Sequence, residues 1–372
     1  MTKYCSWIAT LMVFMLLASC SNDDMGDSSN KDEETFPDIL VISETDGTIY
    51  QHNIYNNGEN KIDFNLTAEL NLIDDEYFFI QHNDLINLVS RADVNYKVSQ
   101  KNVVNSEILM LSYICDLEEN EFGIRPIITN SRVAMVTIKD LISEGLFKIK
   151  SYDTKSRICE EINLGNAEVV GSVIVRDENV FLTQVENGNT YKISKIDLTT
   201  MTVAKAIDFS NVFKASEKDG KLYVFFQDNS YEIYDSNTFE EIGSSYLNFG
   251  LLPDGLGLFD IQLEGNILGI DIDYIQPSII EVGPGTVNLE TGEVINGEDF
   301  FALELSHILS YNYNANIKMT AFVQDLESGL VIYGFDIGDE GGKGGIIYTN
   351  YQNEILKLVE LNSVPDRIVI RN

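Results

Sequence analysis

The stretch from Gly220 to Ser245 constrains the fold more than any other part of the chain. Lys221-Leu-Tyr-Val-Phe-Phe-Gln reads as a strand apolar on both faces, with Leu222, Val224 and Phe226 against Tyr223 and Phe225. Such a strand suits burial between two neighbouring sheets. After a turn at Asp228-Asn-Ser come a weaker strand at Tyr231-Glu-Ile-Tyr, a turn at Asp235-Ser-Asn-Thr and a polar strand opening on Phe239-Glu-Glu-Ile. A gradient from buried to solvated strand is what one blade of a β-propeller needs, because its inner strands crowd an axis and its outer strand meets water.

Similar units run along the chain. Three strands are visible at Pro37–Ser43, Thr48–Tyr55 and Lys61–Leu66, one short of a full blade. A second unit reads as Ala68–Ile73, Tyr77–His82, Leu85–Arg91 and Tyr96–Val104. In the third, either Glu107–Cys115 or Gly123–Thr129 is the inner strand, followed by Arg132–Ile138, Leu146–Tyr152 and Arg157–Leu164. The fourth to seventh units fall at Gly165–Phe209, Ser210–Leu247, Asn248–Asp299 and Phe300–Leu361. A recurrent corner ties them together: Tyr152-Asp-Thr-Lys, Ile196-Asp-Leu-Thr-Thr, Tyr234-Asp-Ser-Asn-Thr and Val287-Asn-Leu-Glu-Thr-Gly each end a strand on an apolar residue followed by Asp or Asn. Those side chains close tight turns on their own backbone, at spacings in the range of propeller repeats. Ser363-Val-Pro-Asp-Arg-Ile-Val-Ile-Arg is left over. The reading predicts an all-β, seven-bladed propeller, with six or eight blades as lesser alternatives, in which Arg367–Arg371 is the innermost strand of the first blade and seals the ring. Hardly any helix is expected.

At the N-terminus, Lys3 precedes an apolar run from Ile8 to Leu17 and then Leu17-Ala-Ser-Cys20. This is the layout of a secretory signal, and its run is too short to span a bilayer. The tetrad resembles the lipobox of bacterial lipoproteins, which implies cleavage before Cys20 and lipidation of that cysteine. The expected organisation is a signal at 1–19, a lipidated cysteine with a disordered acidic tether at 20–36, and one propeller domain at 37–372. Acidic residues soon after Cys20 are similar to the surface-export signal of Bacteroidetes-type lipoproteins. As a whole the chain resembles an outer-membrane lipoprotein of that type carrying a YVTN/quinoprotein-like propeller. It departs from that pattern in tryptophan: Trp7, inside the signal, is the only one. A pyrroloquinoline cofactor is therefore unsupported, and no cofactor is expected.

Charge narrows the partners. With 59 acidic against 25 basic residues the net charge is −34, which repels a phosphate backbone, so nucleic acid is not expected. The histidines at 52, 82 and 307 form no His-Glu-x-x-His run, and no Gly-x-Ser-x-Gly elbow occurs, so zinc and serine-nucleophile hydrolysis lack a motif. Gly338-Asp-Glu-Gly-Gly-Lys-Gly-Gly has the wrong glycine spacing for a phosphate loop and reads as a hairpin. Asp271-Ile-Asp and Asp116-Leu-Glu-Glu-Asn-Glu lack the ligand ladder of an EF-hand, and no metal is expected. Cys115 and Cys159 are either bonded or free. For ligand contact the aromatic and amide-rich loops near the axis stand out: Tyr274 and Gln276, and Tyr311 and Tyr313 in the loop entering the seventh blade. Two functional readings follow. One is a monomeric, lipid-anchored, non-catalytic propeller binding a glycan, peptide or protein. The other is a glycan hydrolase or lyase with carboxylates gathered at the axis.

Overall fold

Seven sheets, each built on four antiparallel strands and the fifth extended by a short parallel strand, form a ring in the computed structural model. The structure describes residues 36–371 apart from 57–60, 73–76, 83, 93–94, 112–114, 140–144, 187–189, 248–256, 259–260, 274–281, 297–300, 339–341 and 353. Blade 1 comprises Asp38–Thr45, Thr48–Ile54 and Lys61–Asn65, and blades 2 to 7 span 77–111, 121–167, 169–209, 213–246, 262–296 and 318–361. The innermost strand of blade 1 is Val364–Arg371. It runs antiparallel to Asp38–Thr45, with Ile370 opposite Ile39 and Ile368 opposite Val41. The predicted closure is therefore observed.

The double-sided apolar strand explains how blades stack. Lys221–Phe226 is the second strand of blade 5. Leu222, Val224 and Phe226 pack with Ile174, Phe181 and Ile193 of blade 4, while Tyr223 and Phe225 pack with Leu268, Ile270 and Val287 of blade 6. Each such buried side chain contributes roughly 1.5–3 kcal/mol. The outermost strand, Glu241–Tyr246, is exposed along most of its length.

The recurrent corner is a hydrogen-bonded device. Asp153 Oδ1 accepts from the backbone N–H of Lys155 and Ser156, Asp197 Oδ1 from Thr199 and Thr200, Asp235 Oδ1 from Asn237 and Thr238, and Asn288 Oδ1 from Glu290 and Thr291. Two further copies, at Asn102 and Asn350, went unread in the sequence. All six join the third strand of a blade to its outermost strand. The donated N–H groups stabilise the anion. Ser156 and Lys155 hold the Asp153 carboxyl low, as Thr238 and Asn237 do for Asp235. At Asp197 burial works the other way, and the Thr200 and Thr199 donors outweigh it.

Two expectations need correction. Residues 68–72 are not a strand. Leu66–Glu69 is a short helix whose N-cap, Asn65, accepts from Ala68 N at 2.9 Å, and the fourth strand of blade 2 is Ile108–Leu111. That leaves Glu121–Ile128 as the inner strand of blade 3. Nor is the approach to blade 7 a loop: Phe301–Tyr313 is a helix of 13 residues. Its buried Ala302, Leu305 and Leu309 make an apolar stripe against Met319, Val331 and Phe335, a 3.6-residue period that packing completes. Cys115 and Cys159 form a disulfide with Cα atoms 5.9 Å apart, fastening the segment before blade 3 to that blade's outermost strand.

Candidate functional site

Residues of the innermost strands of four consecutive blades, 4 to 7, with their flanking turns, line a cavity of about 560 Å³. Arg176 and Lys218 are the last residues of the innermost strands of blades 4 and 5. Directly after Lys218, Asp219 and Gly220 adopt φ of +52° and +76°. A two-residue Asp-Gly turn with both angles positive matches the twist of the strands it joins, and it fixes where Lys218 leaves the sheet. Gln262 of blade 6 and Phe322 and Gln324 of blade 7 form the facing wall.

These side chains differ in freedom. Arg176 is held: its Nε donates to Glu217 Oε2 at 3.0 Å and its Nη2 to the Glu217 carbonyl at 2.6 Å. Glu217 is itself buried and accepts from Ser236 Oγ and Gly220 N. Gln324 is fully engaged, donating to the carbonyls of Ile270 and Gly285 and accepting from Thr286 Oγ1, so that it ties blade 7 to blade 6. Lys218 has no ion-pair partner and Gln262 no side-chain hydrogen bond among the described residues. The cavity thus presents one uncommitted ammonium, one uncommitted amide, an aromatic face and a single carboxylate, Asp219.

Acid–base chemistry has little to draw on among the described residues. The carboxyl groups that depart from the ordinary range, such as Glu118, Glu121 and Asp228, move downward, opposite to what a general acid at neutral pH needs. Hydrogen bonds from Lys139 and Lys148 bring Glu118 to about 2. Burial pushes Glu121 up, but the Glu118 N–H, Lys150 and Thr137 outweigh it. The acidic run at 116–121 is therefore occupied by lysines. No cluster of three or more potential metal ligands occurs among the described residues.

Of the residues singled out in the sequence, Cys20, Tyr274 and Gln276 lie outside the described residues. Tyr311 and Tyr313 end the helix Phe301–Tyr313. That helix leads into the start of the innermost strand of blade 7, whereas Gln324 lies near that strand's far end. Tyr311 is 88% exposed. Tyr313 packs its ring on Phe335 and donates its hydroxyl to Glu360 Oε1 at 2.8 Å. Burial, with Glu360 beside it, pushes its pKa up to about 12. The structure does not bring either tyrosine to the cavity. What sequence reasoning missed was the local signal that marks Lys218, a cation just before an Asp-Gly turn on an inner strand.

A second constellation has the outline of a catalytic triad. His52 Nδ1 lies 2.7 Å from Asp63 Oδ1, and its Nε2 lies 2.7 Å from both Ser43 Oγ and Ser363 Oγ. An ionised carboxylate only accepts, so Nδ1 carries the proton and Nε2 accepts from a hydroxyl. Ser43 is 0% and Ser363 1% exposed. A nucleophile sealed in this way meets no substrate. The cluster instead pins the entry of the closing strand to blade 1.

No protein-family model matches the chain. No curated protein matches it either. Among solved structures it is similar to the computationally designed Ika8 protein, at 13% identity and a TM-score of 0.45 over 89% of this chain and 90% of that one. It is also similar to the β-propeller domain of the Trilobed protease from Pyrococcus furiosus, at 12% identity and a TM-score of 0.44 over 75% of this chain and 84% of that one. BamB from Moraxella catarrhalis matches at 12% identity and a TM-score of 0.42, over 90% of this chain and 93% of that one.

Proposed function

We propose that the protein is a non-catalytic binding propeller, tethered by a lipid on Cys20 to the bacterial outer membrane, that takes its ligand at the axial cavity. The observation that carries this reading is the makeup of the cavity: a fixed guanidinium, the uncommitted Lys218 and Gln262, the Phe322 ring and one carboxylate. Concave sites with a few convergent polar groups on an apolar wall hold ligands. Hydrolysis by paired carboxylates needs two of them placed across the scissile bond, and the cavity has one. The tether rests on Leu17-Ala-Ser-Cys20, and among the described residues no helix is long and apolar enough to cross a membrane.

The test is capture on glycan and peptide arrays by the full chain in detergent, compared with Lys218→Met/Gln262→Leu and with Tyr311→Ala. The paired cavity variant is expected to weaken capture at least about tenfold, Tyr311→Ala to leave it unchanged, and the ligand to be recovered intact by mass spectrometry. Capture indifferent to the cavity variant, or a cleaved ligand, would refute the reading. Metabolic labelling with an alkynyl fatty acid, lost in Cys20→Ser, checks the anchor.

A further inference from the structure

Charge in this protein is distributed against its own average. The seven innermost strands carry seven basic residues, Arg125, Arg176, Lys214, Lys218, Lys318, Arg367 and Arg371, against five acidic ones, Glu121, Glu217, Glu264, Asp325 and Asp366. The whole chain has 25 against 59. Three of the five carboxylates are already paired, Glu121 with Lys150 at 2.6 Å, Glu217 with Arg176 and Asp366 with Arg367 at 3.6 Å. Arg125, Lys214, Lys218, Lys318 and Arg371 make no ion pair among the described residues. In a chain so rich in acid, cations left unpaired on the strands that wall the axis are available to a ligand.

Two features give that ligand a shape. Lys214 and Lys218 lie four residues apart on one innermost strand, as do Arg367 and Arg371 on another. At ~3.3 Å per residue each pair extends over about 13 Å, which suits a chain of repeated negative charges better than one small anion. Apolar contacts accompany them. Phe78 and Phe122 are the second residues of the innermost strands of blades 2 and 3 and Val169 the first of blade 4, exposed by 41%, 38% and 52%. An innermost strand has its own blade on one edge and neighbouring blades over both faces, so side chains that it leaves exposed open on the axis or its mouth.

The chain also shows how an extended segment lies there. Gly257–Leu258 pairs in parallel with Lys214 and Ala215 on the axial edge of blade 5. Among the described residues the innermost strands of the other six blades have no partner on that edge. Unpaired strand edges recruit extended peptides through the backbone.

We propose that the axial channel receives an extended acidic peptide segment of a partner protein. Its carboxylates meet Arg125, Lys214, Lys318 and Arg371, its alternate apolar side chains meet Phe78 and Phe122, and its backbone pairs with a free inner edge. The proposal rests on the axial-binding reading above and names the chemistry of the ligand. The acidic exterior does not forbid it, because at physiological salt charges are screened beyond ~8 Å and the groups inside the channel decide affinity.

The experiment measures fluorescence anisotropy with the full chain in detergent and three labelled probes: a peptide alternating Glu and Val, the same peptide with Gln for Glu, and an oligouronate of equal charge. The Glu peptide is expected to bind at least about tenfold more tightly than its Gln analogue, and Arg125→Gln/Lys318→Gln to weaken it by about tenfold more. Phe122→Ala should also weaken binding. Lys205→Gln, which removes an exposed cation from the outermost strand of blade 4, should leave it unchanged. The single variant Lys318→Gln, at a strand end, reports the same loss at smaller scale should the double variant not fold. Equal binding of the Gln peptide, preference for the oligouronate, or an equal loss in Lys205→Gln would each overturn the proposal. A ligand captured from the arrays through Lys218 and Gln262, with no affinity for the Glu peptide, would leave axial binding standing and remove only the acidic-peptide assignment.

Discussion

Mild acid should loosen the ring at its seam, through His52. Burial beside Ser43 and Ser363 lowers its pKa from the ordinary 6.5, against the opposing hydrogen bond and charge of Asp63, and with Lys61 adding to the drop. In the folded protein the imidazole stays neutral below pH 6.5, whereas in the unfolded chain it takes up a proton near that value. Over this interval the unfolded chain binds more protons, so stability present above pH 6.5 is lost as the pH falls towards the folded value. One group sets a ceiling of ~1.4 kcal/mol per pH unit, hence at most about 1.4 kcal/mol between pH 7.5 and 5.5. Urea unfolding of the wild type and His52→Gln at both pH values isolates this contribution, because the groups that do not touch His52 are common to the two proteins. At pH 7.5 the variant should be less stable by about 1–2 kcal/mol, for its disturbed hydrogen bonds. By pH 5.5 that gap should shrink by up to about 1.4 kcal/mol. A gap that stayed constant or widened would show that His52 is not held neutral by the seam.

Two other perturbations test the interior. Reducing Cys115–Cys159, which closes a loop of 44 residues, should cost up to about 4 kcal/mol on the chain-entropy estimate; a thermal melt unaffected by reductant would refute this. Gln324→Leu strands the Ile270 and Gly285 carbonyls and Thr286 Oγ1 between blades 6 and 7. It should destabilise by roughly 2–3 kcal/mol, with faster amide exchange in those two blades, and uniform exchange rates would contradict the role given to it.

The architecture was legible because its signals are local. A strand such as Lys221–Phe226, apolar on both faces, announces sheets on either side. Asp197 or Asp235 before a Thr-containing turn announces a hairpin. Closure was legible by subtraction, since blade 1 lacked a strand and Val364–Arg371 was unclaimed. The helix Phe301–Tyr313 was missed although Ala302, Leu305 and Leu309 share a face, because the tyrosines at its end drew the reading towards a loop. The site is harder, since Arg176, Lys218, Gln262 and Gln324 come from four blades. Likewise no sequence window joins His52 to Ser363, 311 residues apart. Only the ring brings them together.

The seam also orders events during synthesis. A chain emerging from the ribosome can pair its first three strands early, but Ile39 and Val41 then face an unoccupied edge until Ile370 and Ile368 arrive. Every module made in between waits on that last segment for a closed circle. Loss of Val364–Arg371 would therefore unseal the whole wheel, although almost all of its core lies in the residues made before them.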